Sequence, residues 1–510
     1  MPSPQPPHPA IGQTVELTIT GLISDGRGIG RTNGLAVFVD GAIPGQTVRA
    51  RVLRSRKRLL EAELLKVLIP CGKEQMPPCP HAATCGGCAW QSLPYTGQLY
   101  WKQRIVHDAL QRLGGIKEIP LQDILPSPSP WGYRNKMEFA FGPLSEDSHD
   151  FGPGLRQRGS HAIVPVTGCL LQTPRTMRVL EAFRTLLQQG KMAQLPARRC
   201  RFLVIREPRA GGCFVELIVH PMVTRNAPNK PDSIPPRKSL NRSQTEDAVR
   251  SDRELGEYLA KRLHSLVPEV TGFTLSRRGD SSDVAYAEKI VFSCGEIHEH
   301  IRGIDLRLGP ASFFQVNTAA AELLYAEVER LSGLTVNAEG KIPVLWDLYA
   351  GIGSIGFSLV SRFPQTRLLS VEEMPGAVRL SRINAKRLGI ACRIELGDTA
   401  TVLARLQKEM AGGRKPESPL YSPDVIIADP PRAGLDEKAV LSLNLLAQHR
   451  REQNGQPPRL IYVSCNPATL ARDIARLSAF TLKSVRPVDL FPQTPHVECV
   501  ALLTVKSDFK

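Results

Sequence analysis

The chain has 510 residues, 42% of them apolar and 22% charged, a composition that suits a globular protein with more than one core. A formal net charge of +16 points to a polyanionic partner, because clustered Lys and Arg gain free energy by displacing counterions from phosphates. No run approaches the roughly 18 apolar residues of a spanning helix and residues 1–10 carry no apolar signal core, so a cytoplasmic monomer with nucleic acid as partner, and no membrane, is expected.

The chain opens with short alternating stretches at Thr14–Leu22, Leu35–Val39, Thr47–Leu53 and Leu60–Val67, the first three separated by glycine turns. This pattern predicts a small β-barrel of the oligonucleotide-binding kind. Arg49, Arg51, Arg54, Arg56, Lys57 and Arg58 follow with no acidic residue among them, which suits a groove that tracks a phosphate backbone. Next come Cys79, Cys85 and Cys88 around Gly86 and Gly87. In a reducing compartment the eleven cysteines are not expected to form disulfides, so such crowding reads as soft-metal ligation. Cys169 is a candidate fourth ligand, Cys71 and His81 compete for that place, and spacing does not decide between zinc and an iron-sulfur cluster.

Residues 133–302 mix strand-like pieces, Arg201–Ile205 and Cys213–Val219 among them, and predict an α+β domain. The polar stretch 224–252 is too poor in apolar residues to bury a core and reads as a disordered insertion. From Val344 onward β and α patterns alternate, with strands expected at Val344–Tyr349, Arg367–Glu372, Asp424–Asp429 and Arg459–Val463. That is a doubly wound parallel sheet.

Gly351, Gly353 and Gly356 match the G-x-G-x-x-G fingerprint, and Glu372 stands where an acid would take a ribose. Alone this would indicate a nicotinamide dinucleotide. Asp347 at the strand end would repel a pyrophosphate and would attract the cationic amino-acid part of S-adenosylmethionine, so the sulfonium compound is preferred. Asp429-Pro430-Pro431-Arg432 ends a later strand with a rigid rim that can present Asp429 and Arg432 to a flat base. Cys465, in Ser464-Cys465-Asn466-Pro467, stands one step past a strand, where open parallel sheets bind ligands; a packing cysteine would lie within the apolar run. Glu498 precedes the final apolar strand Val500–Val505.

Together with Tyr133-Arg134-Asn135-Lys136, Phe313-Phe314-Gln315-Val316-Asn317 and His496-Val497-Glu498, these segments resemble the iron-sulfur-containing uracil-5-methyltransferases of RNA. That family modifies ribosomal RNA and, in related members, the T-loop of transfer RNA. The resemblance covers nearly the whole chain. It implies a TRAM-type barrel at 1–70, a central α+β domain with an iron-sulfur cluster at 71–302 and a Rossmann-like, S-adenosylmethionine-dependent methyltransferase domain at 303–510. It also implies Cys465 as nucleophile, Glu498 as base, and a cofactor site lined by Gln315, Tyr349, Ser354, Glu372, Asp398 and Asp429. Cys79, Cys85, Cys88 and Cys169 would hold a 4Fe-4S cluster. Tyr349 and Ser354 depart from the Phe and Asn of many members. Barrel and cluster together favour 23S ribosomal RNA as substrate over transfer RNA.

The chemistry agrees with those roles. C5 of uracil attacks a methyl group only after a thiolate has added to C6, and a carboxylate must then remove the C5 proton before the thiol can leave. A helix after Asn466-Pro467 is expected to lower the Cys465 pKa, and Arg432 or Asn317 to stabilise charge on O4. Duplex RNA hides C5 and C6, so a uridine splayed from a structured loop is the expected target. No electron is needed, which leaves a cluster the role of a staple. The rivals are a cytosine-5-methyltransferase, which usually carries a second catalytic cysteine, and a non-catalytic RNA-binding protein.

Overall fold

The structure is a computed structural model, and it describes residues 8–145, 151–188, 199–221, 242–280, 285, 287–335, 342–411, 419–452 and 457–506. The chain divides into two compact units, Met1–Ala82 with Cys88–Pro130 and Ala319–Lys510, and Ala83–Gly87 with Trp131–Thr318.

In the first unit, strands β1 (Thr14–Leu22), β2 (Gly28–Thr32), β3 (Leu35–Asp40), β4 (Thr47–Arg56) and β5 (Leu59–Ile69) close into a barrel in the order β1-β2-β3-β5-β4. Alternation puts Val15, Leu17, Ile19, Val37, Val39, Val48, Val52 and Leu60 inside. Sequence patterning misses β2, because glycine-rich Gly28–Thr32 looks like a turn. The glycines are what allow the strand, since a Cβ on Gly28 would stand 2.7 Å from the Ala42 carbonyl oxygen and one on Gly30 would strike Thr18 O.

The second unit is built on a sheet of order β12-β11-β10-β9-β6-β7-β8. Its strands are β6 (Lys136–Pro143), β7 (Phe151–Arg156), β8 (Ile163–Val164), β9 (Cys200–Arg206), β10 (Cys213–Val219), β11 (Val270–Arg277) and β12 (Lys289–Cys294), followed by the hairpin β13 (Ile297–Ile301) and β14 (Ile304–Leu308). Val179 and Phe183 of helix Pro174–Leu187, with Leu259 and Leu263 of helix Arg242–Leu266, join Phe139, Leu203, Val215 and Phe273 in its core. Of the expected insertion, residues 224–241 lie outside the described residues. Its other end is a correction: Asp252 lies in the second helix, buried, and accepts from Arg199 at 3.0 Å and from Arg277 at 2.6 Å. Arg199, just before β9, and Arg277, at the end of β11, anchor this end of the polar stretch through ion pairs.

The first unit's second sheet runs β17-β16-β15-β18-β19-β21-β20. Its strands are β15 (Val344–Leu348), β16 (Arg367–Glu372), β17 (Cys392–Leu396), β18 (Val425–Ala428), β19 (Arg459–Ser464), β20 (Phe480–Val488) and β21 (Glu498–Val505). Five strands are parallel, and β21 returns antiparallel to both β19 and β20. This is a doubly wound, mixed α/β sheet. Strand order reverses between β15 and β18, and such sheets open a ligand crevice at that point beyond their carboxyl ends. No described helix is long and apolar enough to cross a membrane.

Candidate active site

Strand β15 is buried along its length and ends at Asp347 and Leu348. Asp347 Oδ2 accepts from the Gly356 amide at 3.0 Å, in the first turn of helix Ser354–Arg362. Gly356 makes room for it, because a Cβ there would stand 2.6 Å from that oxygen. The turn between them is strained at Tyr349, a non-glycine residue at φ 61°, and passes through Gly351 and Gly353 at φ 58° and 89°. At the end of β16, Glu372 accepts from the Gly351 amide at 2.9 Å and the Met374 amide at 2.8 Å, so the turn itself holds the acid.

Burial pushes the Asp347 carboxyl up to about 7 against the bond from Gly356, with the fields of Asp429 and Glu372 adding to the rise. Burial likewise pushes Asp429 up to about 7. Asp347, Glu372 and Asp429 therefore share one bay, and a cation entering it would relieve their repulsion. Ser354 Oγ accepts from the buried Tyr325 hydroxyl at 2.7 Å, Tyr349 is hydrogen-bonded to Thr399, and exposed Asp398 accepts from the Thr401 amide at 2.9 Å.

Gln315 belongs to the second unit. It is buried there, and its carbonyl accepts from Asn135 Nδ2 at 2.9 Å, so the Tyr133–Lys136 and Phe313–Asn317 segments meet. Asn317 is buried in the same unit. Glu299, from β13, accepts from the Arg209 amide at 3.0 Å and lies 3.5 Å from Asn135 Nδ2; burial pushes it up to about 7. Sequence reading misses Glu299, since one acid in an alternating hairpin carries no signal.

The other side of the first unit's site comes from β19 and β21. Ser464 pairs with Cys499, so one step beyond, on neighbouring strand ends, stand Cys465 and Glu498. The thiol is partly buried and the carboxylate is 4% exposed. Burial pushes Cys465 up to about 11, the Glu498 and Asp429 charges add to this, and Arg432 opposes it. Glu498 is raised to about 8, by burial first and by Asp429 second. The expectation of a lowered thiol pKa is thus corrected. Helix Pro467–Arg476 does begin where predicted, with Asn466 accepting from the Ala468 amide at 3.0 Å, but its partial charge is outweighed by burial and two carboxylates.

Arg432 is presented by a loop hooked to that same helix. Buried Asp473 accepts from the Leu435 amide and the Tyr462 hydroxyl, each at 2.8 Å, while Arg472 donates to Ala433 O at 2.7 Å. Gly434, at φ 81°, leaves no Cβ to collide with the Asp473 carboxylate. Asp473 and Arg472 were not legible as site residues, because the loop residues they hold lie 37 to 39 positions away in the chain.

The cysteines expected to hold a cluster fall into both units, Cys79 and Cys88 in the first, Cys85 and Cys169 in the second. All four are partly buried, and the Gly87 amide donates to Cys85 Sγ at 3.4 Å. Their donor type fits a soft metal. Among the described residues no three His, Cys, Asp or Glu side chains form a metal-holding group.

Residues 10–65 match the TRAM domain family, and residues 285–506 match the family described as tRNA (Uracil-5-)-methyltransferase. A Nitratidesulfovibrio vulgaris protein named an uncharacterized RNA methyltransferase is 40% identical over 509 residues, 98% of this chain and 97% of that one. The chain belongs to the RNA uracil-5-methyltransferase family. A second uncharacterized RNA methyltransferase, from Gloeobacter violaceus, is 32% identical over 96% of each chain. The methyltransferase also shares its fold with the crystal structure of Pyrococcus abyssi tRNA (uracil-54, C5)-methyltransferase in complex with S-adenosyl-L-homocysteine, at TM-score 0.66 and 24% identity, over 96% of this chain and all (100%) of that one. It is an RNA uracil-5-methyltransferase with an N-terminal TRAM barrel.

Proposed function

We propose that the enzyme methylates C5 of a uridine in a structured loop of 23S ribosomal RNA through a transient bond between Cys465 and C6. The observation that carries this is the placement of Cys465 and Glu498 on adjoining strand ends, with Asp429 and Arg432 acting on the thiol. S-adenosylmethionine, when bound, supplies an electrophilic methyl group. Asp347, Glu372 and Asp429 offer the negative bay that suits its ammonium and ribose, with Tyr349, Ser354, Asp398 and Gln315 as further lining residues.

The thiol must lose its proton before it adds to C6. Addition makes C5 part of an enolate, and Arg432, the cation whose field reaches Cys465, is assigned to the charge on O4. After C5 takes the methyl, Glu498 removes the C5 proton, the C5–C6 double bond re-forms and Cys465 leaves as thiolate. A carboxyl raised to about 8 binds that proton more readily than an ordinary glutamate and returns it to water as pH rises toward about 8.

The 4Fe-4S cluster on Cys79, Cys85, Cys88 and Cys169 is proposed on donor chemistry alone, as a staple outside the reaction. Iron and sulfide analysis of anaerobically purified protein tests it, and zinc without sulfide rejects it. The substrate also suits a cytoplasmic monomer. Mapping 5-methyluridine in total RNA from cells with and without the protein tests the target: loss from 23S ribosomal RNA is expected, and loss from transfer RNA instead transfers the assignment there.

A further inference from the structure

Glu498 reaches its place at the end of an unusual segment. Residues 489–497 have no regular structure, yet all but Phe491 and His496 are buried. A buried loop must find partners for its polar backbone, and this one finds them on helix Tyr95–Arg112, whose buried face carries Gln98 and Lys102 one turn apart. Lys102, fully buried, donates to Asp489 Oδ1 at 2.5 Å and to Phe491 O at 2.9 Å.

Gln98 is bound on both ends. Its Nε2 lies 2.9 Å from Gln493 Oε1, 2.9 Å from Leu93 O and 3.1 Å from Trp90 O, while its Oε1 accepts from the Gln493 amide at 2.9 Å. Gln493 sits at φ 70°, a conformation that costs a side-chain-bearing residue on the order of 1 kcal/mol and persists only where its surroundings enforce it. The Trp90 amide donates to Gln493 O at 3.1 Å, and the Trp90 indole donates to Gly26 O at 3.0 Å. Gly26 belongs to the barrel's β1–β2 turn, and a Cβ on it would stand 3.0 Å from Pro495. The turn thus rests on the segment that delivers Glu498.

We propose that Gln98 is a positioning residue for Glu498, and that the barrel is seated on the same support through Trp90. The proposal rests on Glu498 as the base. Loosening the Gln98–Gln493 pair leaves Cys465 and the cofactor bay in place and moves only the group that removes the C5 proton. Addition and methyl transfer proceed, and release of the methylated RNA from Cys465 slows.

Full-length Gln98→Met, which keeps the volume and removes the amide, is compared with wild type and Glu498→Gln on RNA containing the mapped uridine. Covalent enzyme–RNA adduct and methyl incorporation are followed in one turnover. Release should slow at least about tenfold in Gln98→Met, with adduct accumulating, while methyl incorporation stays near the wild-type rate. Trp90→Phe should shift release in the same direction by less. Should Gln98→Met fail to fold, Gln493→Gly, which suits the left-handed backbone, must show the same accumulation. Equal slowing of incorporation and release, or unchanged release, overturns the proposal, and an unaffected Trp90→Phe removes the barrel from it. Adduct in Glu498→Gln but not in Gln98→Met refutes the role of Gln98 alone, whereas none in Glu498→Gln refutes the base and this role with it.

Discussion

The barrel and the strand-end bay treat charge in opposite ways. On the barrel every arginine of β4 meets a carboxylate from another strand: Arg49 reaches Glu16 of β1 at 2.6 Å, Arg51 pairs with Glu63, and Arg54 and Arg56 share Glu61. The run that reads as a basic strand in one dimension is largely neutralised once β1 and β5 lie beside it. These pairs are solvated and worth less than about 1 kcal/mol each, so they are cheap to exchange for phosphates. In the bay, Asp347, Asp429 and Glu498 are withdrawn from water with no lysine or arginine bonded to their carboxylates among the described residues, and their protons are held far more tightly than usual. Charge at the surface is compensated for solubility and register, whereas charge in the site is left uncompensated so that a cationic cofactor and a migrating proton can complete it.

Breaking the bay gives the largest effects. Cys465→Ala should abolish methylation while RNA affinity stays within about twofold in a filter-binding assay, because the barrel and the rest of the site remain. Persistent turnover would reject the nucleophile. Glu498→Gln should lower turnover by about 10²-fold to 10⁴-fold with adduct accumulating.

The Glu498 proton also sharpens the contrast through pH. Its folded pKa of about 8 lies above the ordinary 4.5, so the folded state favours the protonated acid. That stabilisation is fully present below about 4.5 and is lost as pH rises through about 8. Relative to wild type, Glu498→Gln should gain stability across this window, by on the order of 5 kcal/mol, in denaturant melts; a constant difference would contradict the burial of a titrating acid. Release of product should quicken as pH rises toward about 8, as the carboxylate becomes available to take the C5 proton.

A smaller effect is expected for Asp347→Asn. It removes one charge from the bay and should weaken S-adenosylmethionine binding about tenfold in calorimetry, with apo stability at pH 7 unchanged or raised. The smallest effects test the barrel. Lys57 and Arg58, exposed at the β4–β5 turn, have no carboxylate partner among the described residues. Replacing either by Ala should reduce the salt slope of RNA binding by about 1, and replacing Arg49 or Arg51 should change it less. Equal slopes for all four would mean that pairing does not discount the β4 arginines.

Much of the methyltransferase sheet was readable in advance because parallel strands buried on both faces leave continuous apolar runs, as Val344–Leu348 and Val425–Ala428 do. The strands missed were of the opposite kind. Cys392–Leu396 is a partly exposed edge, and Phe480–Val488 mixes lysine, arginine and proline into the other edge, so neither shows a clean period. Cys465 and Glu498 stood out because motifs surround them. Asp473, Arg472, Glu299 and Gln98 did not, since each is defined by a partner far along the chain.

Sequence by itself determined the places of the regularly patterned strands, the glycine positions of the cofactor turn and the residue types that the chemistry requires, because periodicity and backbone permissiveness are local properties. Tertiary structure alone decided the electrostatics. Whether an arginine is free or paired, and whether a thiol is eased or burdened toward ionisation, depends on which distant strand ends beside it and how much water that leaves. Cys465 shows this most plainly: a helix start one residue away argues for a lowered pKa, and burial, helped by two carboxylates brought in by β18 and β21, reverses the sign.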